Sequence, residues 1–194
     1  MFAYLEGKFA FKSPAVVYLD VNGLGYEIQI SLNTYSKIQD LENGVLHVHL
    51  QVREDAHILF GFFEKIEKEM FLHLVSVSGI GATTARMMLS YMKPDELAKA
   101  IVNGDTRALE NVKGVGKKTA ERIVLELRDK LAKQSLGTNI SPLKHNTLHT
   151  DALNALMALG IARNVADQAI QRVTQSDPSL TSLEDVIKKA LKTL

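Results

Sequence analysis

The strongest constraint on what this chain can fold into is a nine-residue pattern that occurs twice, 35 positions apart. The first copy reads Val77-Ser78-Gly79-Ile80-Gly81-Ala82-Thr83-Thr84-Ala85. The second reads Val112-Lys113-Gly114-Val115-Gly116-Lys117-Lys118-Thr119-Ala120, and Leu74 and Leu109 stand at the same offset before each copy. An apolar residue, then Gly-apolar-Gly, then Ala four positions on, suits a helix that ends in a tight turn and starts another helix. Glycine permits the left-handed backbone of such a turn and a close approach by another molecule. The second helix then offers unpaired N–H groups at the positive end of its dipole, which is an anion site made of backbone.

A pair of ordinary helical hairpins with glycine caps would explain the same pattern. Two copies in register, one followed by Lys-Lys, favour phosphate binding over that plainer reading. Gly79, Ile80, Gly81, Thr83 and Thr84 form one expected contact, and Gly114, Val115, Gly116, Lys117, Lys118 and Arg122 the other. Phosphate contacts made by amides carry no base information, so the expected binding is blind to sequence. The first copy has Ala82-Thr83-Thr84 where the second has Lys117-Lys118-Thr119, so it is expected to bind less strongly.

Charge distribution supports the second copy as the stronger site. Net charge is only +1 over 194 residues. Residues 1–63 nevertheless carry four basic against seven acidic residues, whereas residues 107–133 carry eight basic against four acidic. Positive charge gathers around the second Gly-x-Gly turn, where a phosphate would lie.

The hydrophobic period divides the chain into three folded parts. Residues 1–63 alternate with period two: Val17, Leu19 and Val21 are followed, after Asn22-Gly23-Leu24-Gly25, by Tyr26, Ile28 and Ile30. Leu46, Val48, Leu50 and Val52 alternate with polar residues, and Ile58, Phe60 and Phe62 close the run. With an opening strand near Phe2 to Phe11, and a short helix near Leu32 to Leu41, this predicts a five-stranded OB-type barrel. A plain five-stranded sheet is the rival. Residues 64–133 change to helical period and predict about five helices, with the repeated hairpins at two of their joints. Residues 134–150 lack apolar periodicity and contain Gly137 and Pro142, which predicts a flexible linker. Residues 151–194 predict a bundle of three short helices, small for independent stability but feasible. The expected fold class is α+β, multidomain.

Several chemistries are disfavoured. The chain has no cysteine, so it has no disulfide, thiolate metal site or thiol nucleophile, which fits the cytoplasm. No apolar run reaches the roughly 18 residues of a membrane helix, and no membrane partner is expected. The histidines lack metal-ligand spacing: His47 and His49 have no third ligand nearby, and His145 and His149 fall in the predicted linker. Glu121, Glu126 and Asp129 interleave with Arg122 as on a solvated helix face, so no nuclease centre is expected there. No Gly-x-x-x-x-Gly-Lys-Ser/Thr loop is present. Neither a catalytic site nor a cofactor is predicted.

Arg53-Glu54-Asp55-Ala56-His57 lies between two predicted strands and reads by default as a solvated acidic turn. The sharper reading is an electrostatic wedge, whose carboxylates would repel phosphates from one location.

These features in this order resemble the RuvA family, whose members bind Holliday junctions in bacteria. The resemblance covers essentially the whole chain. It rests on Leu5-Glu6-Gly7, Asn22-Gly23-Leu24-Gly25-Tyr26-Glu27, Val52-Arg53-Glu54-Asp55-Ala56, Leu59-Phe60-Gly61-Phe62 and both hairpins. The stretch from Gly114 to Arg122 is its most specific part. The resemblance implies a homotetramer, or two of them, holding four-way junction DNA on one face, with the hairpins on minor-groove-side phosphates. It makes Glu54 and Asp55 the family's acidic pin, beside the point of strand exchange. It implies that the last domain, a UBA-like three-helix bundle, recruits the hexameric ATPase RuvB, and that the resolvase RuvC is a further partner. Leu156, Met157, Leu159 and Ile161 are the expected ATPase contact, with core packing as the plainer reading. Family members often carry a lysine after the first Gly-x-Gly, which this chain lacks. The competing functions are a helix-hairpin-helix nuclease or glycosylase accessory, and a pure protein-interaction module.

Overall fold

The computed structural model describes residues 2–138, 144–177, 180 and 182–193, with side chains at 133–138 and 144–147 left aside. The chain divides into two compact units, Met1–Leu136 and Gly137–Leu194.

The first unit begins with five strands: β1 (Tyr4–Lys12), β2 (Val16–Val21), β3 (Leu24–Ile30), β4 (Asn43–Val52) and β5 (His57–Phe62). They close into a barrel in the order β1-β2-β3-β5-β4, with β4 returning to β1, so the plain-sheet alternative does not hold. Asn22 and Gly23 both have positive φ, 53° and 88°, which gives the tight turn that joins β2 to β3. The Asp20 carboxylate accepts from the Gly23 amide at 2.7 Å. Alternate residues point inward, and Leu5, Phe9, Val17, Leu19, Ile28, Ile30, Leu46, Val48 and Leu59 fill the barrel with Ile38. Ile38 comes from helix α1 (Leu32–Ile38), which lies between β3 and β4 in the chain.

Five helices follow: α2 (Lys65–Val75), α3 (Ala82–Tyr91), α4 (Pro94–Asn103), α5 (Thr106–Glu110) and α6 (Lys117–Thr138). Their core is continuous with the end of the barrel, because Phe60 and Phe62 of β5 turn toward α2. Their rings lie 5.1 and 4.9 Å from that of the buried Phe71. Ring pairs at this separation add to the stabilisation that burial alone provides.

Polar contacts reinforce the same junction. The Asn33 amide nitrogen donates to the carbonyls of Leu89 and Met92 at the end of α3. The Leu32 amide donates to Ser90 Oγ at 3.1 Å, and Arg86 donates to the Ala15 carbonyl at 3.0 Å. Lys37 pairs with Glu64. Barrel and helices are therefore joined by packed rings and by several directional bonds.

The second unit contains α7 (Lys144–Ala158), α8 (Arg163–Ser176) and α9 (Leu183–Lys192). Ala152, Leu153, Leu156, Ala166, Ala169, Ile170, Val173, Val186 and Ala190 form its core. Gly160, with φ 90°, lies two residues past the end of α7. The Ile161 amide reaches the Leu156 carbonyl and the Gly160 amide that of Met157, which caps the helix in a Schellman motif.

Helix extends from both sides into the stretch predicted as a linker. Helix α6 continues to Thr138, and α7 starts at Lys144. Lys, Gln and Leu propagate a helix readily, which accounts for the first extension. The second follows Leu148, which packs on the tail core one turn before Ala152 and two before Leu156. Residues 139–143 of the predicted linker lie outside the described residues.

Candidate nucleic-acid interface

The sequence repeat is also a repeat of backbone geometry. Gly79 has φ 92° and Gly114 φ 94°. In the first hairpin the Val77 amide bonds to the Leu74 carbonyl at 3.0 Å, Ile80 to Val77 at 3.1 Å and Ala85 to Gly81 at 2.9 Å. In the second, 35 positions on, Val112 bonds to Leu109 at 3.2 Å, Val115 to Val112 at 3.0 Å and Ala120 to Gly116 at 2.9 Å. The apolar residue between the glycines has one role in both copies. Ile80 and Val115 are 5% and 4% exposed and hold the turns to the helical core.

Of the residues expected to contact DNA, Ile80 and Val115 face inward. Their side chains are buried, and their amides are already used inside the turn. The glycines are different. Gly79, Gly81, Gly114 and Gly116 are all exposed. Gly81 caps α3 with φ −84° and ψ 163° and has no side chain to satisfy the first-turn amides. Exposed donors at the start of a ten-residue helix suit an anionic oxygen.

The side chains around the two turns differ. Lys117 and Lys118 are exposed at the start of α6. By the 35-residue offset their counterparts are Ala82 and Thr83. Ala82 is buried at 1% exposure, whereas Thr83 is exposed and Thr84 half-buried. A cation could therefore be accommodated at position 83 but not at position 82.

The hairpins also clasp one another. Arg122 Nη1 donates to the Ser78 carbonyl at 3.1 Å, and the same guanidinium lies 4.0 Å from Glu126 Oε1. In the reverse direction, a Cβ built on Gly114 would come 3.8 Å from Met87 Cε, and one on Gly79 would come 3.9 Å from Arg122 Nη1. Met87 and Arg122 are themselves 35 positions apart. Each copy thus sends the same helix position to the other copy's glycine turn. Ser78 and Met87 were not expected from sequence, although the offset that relates Met87 to Arg122 was there to be read.

The acidic turn projects from the barrel. The Arg53 amide bonds to the Ala56 carbonyl at 2.9 Å, which leaves Glu54 and Asp55 at the tip of the β4–β5 connection. Both are exposed, and neither forms an ion pair among the described residues.

The chain matches the family model of the RuvA N terminal domain over residues 1–61, that of the SAM-like helix-hairpin-helix tandem over 71–129, and that of the RuvA C-terminal domain over 147–194. It is 46% identical to the Holliday junction branch migration complex subunit RuvA of Cytophaga hutchinsonii, with 99% of each chain covered. The proteins of that name from Christiangramia forsetii and Flavobacterium psychrophilum are 44% and 42% identical, with both chains covered in full. The chain belongs to the RuvA family. The three matched segments coincide in order with the barrel, the paired hairpins and the tail helices.

In the tail helices, the four expected partner contacts separate into two kinds. Leu156 is fully buried in the three-helix core, and Ile161 packs partly against it, so these two side chains build the domain. Met157 and Leu159 are 41% and 62% exposed, and the nearby Val165 is 47% exposed. The correction has a simple cause. Leu156 continues the core-facing stripe of Leu148, Ala152 and Leu153, whereas Met157, about 100° farther round the helix, falls at its exposed margin. Among the described residues, no group of three or more His, Asp or Glu could hold a metal ion, and no helix is long and apolar enough to cross a membrane.

Proposed function

We propose that the chain is the non-catalytic DNA-binding subunit of a branch migration machine, which grips Holliday junctions by structure and without regard to sequence. The observation that carries this reading is the pair of clasped hairpins with equivalent exposed glycine corners and a lysine pair beside the second. Backbone donors at Gly79, Gly81, Gly114 and Gly116 hold phosphate oxygens of one arm, assisted by Thr83, Thr84, Lys117, Lys118 and Arg122. A junction must slide during migration, and a base-specific contact worth roughly 1–3 kcal/mol would pin it. Contacts restricted to phosphates avoid that cost.

Four copies around the crossover give each arm one gripping domain, and a modest site acts four times through effective concentration. Leu125 of α6 and Tyr91 at the end of α3, 82% and 61% exposed, suit burial against another copy. Glu54 and Asp55 sit at the exchange point, keep duplex from closing over it and help part the strands. In this scheme residues 1–63 are the pinned barrel, 64–133 the gripping domain, and the tail helices from Lys144 onward the motor-docking domain.

The motor is the RuvB hexameric ATPase, met by Met157, Leu159 and Val165. The relatives' own name, branch migration complex subunit, supports a partner that supplies the energy. The resolvase RuvC acts on the same junction. Recombination and repair in the cytoplasm are the setting. A gel-shift comparison of a four-way junction with linear duplex of equal length tests the proposal. Preference for the junction is expected, and equal affinity overturns it.

A further inference from the structure

We propose that Glu67 is a positioning residue for junction recognition, which, through the hydroxyls of Ser31 and Thr34, fixes the angle at which the acidic turn stands relative to the hairpins. The inference rests on the junction-binding function proposed above.

Glu67 is 2% exposed, and Ser31 and Thr34 are fully buried; they are the buried polar residues among those described. Ser31 Oγ donates to Glu67 Oε1, and Thr34 Oγ1 donates to Glu67 Oε2 at 2.7 Å. Each hydroxyl also accepts from the backbone. Ser31 Oγ takes the Thr34 amide at 3.0 Å, and Thr34 Oγ1 takes the Phe63 amide at 3.0 Å. The α2 carboxylate is thus bonded directly to the start of α1 and, through the Thr34 hydroxyl, to the residue that leaves β5.

The location gives the cluster its meaning. Strand β5 starts just after the acidic turn and ends at Phe62; α2 starts at Lys65 and leads into the first glycine hairpin. The cluster thus lies on the direct covalent path from Glu54 and Asp55 to Gly79. Around it the barrel and the helices meet through apolar rings, which tolerate small slides, and through exposed or half-buried bonds from Leu32, Asn33 and Arg86, whereas the bonds of Glu67 are buried. Hydrogen bonds are directional and do not tolerate such slides. Burying a carboxylate costs free energy that its hydrogen bonds serve to offset. Its presence at this joint is better accounted for by geometry: a wedge that excludes duplex must stand at a fixed place relative to the phosphate grips.

The test compares Glu67→Leu, Thr34→Val and Thr34→Ser in the full chain. Circular dichroism first establishes folding, and affinities for a four-way junction and for linear duplex are then measured side by side. The expectation is that Glu67→Leu and Thr34→Val lower the junction-to-duplex affinity ratio by about ten-fold, while Thr34→Ser, which keeps the hydroxyl, retains it. Thr34→Val preserves shape, so it decides the matter if Glu67→Leu does not fold. A folded Thr34→Val with a ratio within about two-fold of wild type overturns the inference, as does a parallel loss of both affinities. A wild-type protein without junction preference would instead overturn the function itself.

Discussion

Arg122 Nη1 donates to the carbonyl oxygen of Ser78 at 3.1 Å, so a side chain from the helix after the second hairpin holds the turn of the first. The equivalent position in the other copy, Met87, approaches Gly114 with a methyl group. One repeat therefore supplies a charged clasp and the other an apolar one. Arg122→Met makes the two alike. It should cost about 1 kcal/mol or less in urea melts, because Arg122 is half exposed. Duplex affinity should fall by roughly five-fold. Unchanged affinity would mean that the clasp serves the fold alone.

Lys118 and Thr83 occupy equivalent exposed positions. Lys118→Ala should weaken junction binding and flatten the dependence of log K on log salt by about one unit per subunit site. Thr83→Lys should do the opposite, strengthening binding and steepening the slope. A salt titration that left both slopes at the wild-type value would remove these positions from the phosphate contacts.

Gly79→Ala and Gly114→Ala test the turns themselves. A Cβ meets nothing closer than 3.9 Å at Gly79 and 3.8 Å at Gly114, so there is room for it. The penalty is conformational, since a side chain at φ 92° or 94° is strained. Each change should cost about 1–2 kcal/mol of stability and reduce affinity for any DNA, junction or duplex alike. Full stability in chemical denaturation would show that the turns relax without loss.

Replacing Glu54 and Asp55 together by Gln removes two exposed charges, with the shape kept at position 54 and one methylene added at position 55. Affinity for plain duplex should rise by several-fold, and most at low salt, where screening is weakest. Equal duplex binding by both proteins across a salt series would refute the repulsive wedge.

Burial raises the pKa of Glu67 against the pull of the Ser31 and Thr34 hydroxyls, with Lys37 favouring and Glu64 opposing its ionisation. A carboxyl whose pKa is higher folded than unfolded contributes full stability below the ordinary carboxylate range, and that contribution is lost as pH climbs through the raised value. Glu67→Gln, which does not ionise, should therefore gain on the wild type as pH rises from about 4.5 to 7. Urea melts at several pH values measure the gap, and a constant gap would contradict the sign.

The sequence carried the strands, the helical hairpins and the acidic turn because each has a local signature. Barrel closure has none: alternation tells which face of a strand is buried, not which edges meet, and the pairing of Gln29 with Phe60 brings together distant segments. The burial of Ile80 and Val115 follows from the inward side of a tight turn, which composition alone does not separate from the outward side. Leu148 was the missed sign that helix begins before residue 151. Glu67 was invisible for a different reason. A glutamate early in an amphipathic helix reads as solvated, and its partners lie 33 and 36 positions away.

The rings of Phe60 and Phe62 rest on Phe71, outside the barrel's own interior. A fragment that stopped at residue 63 would turn two phenylalanines out to water at one end and become adhesive. The barrel is thus no portable cassette.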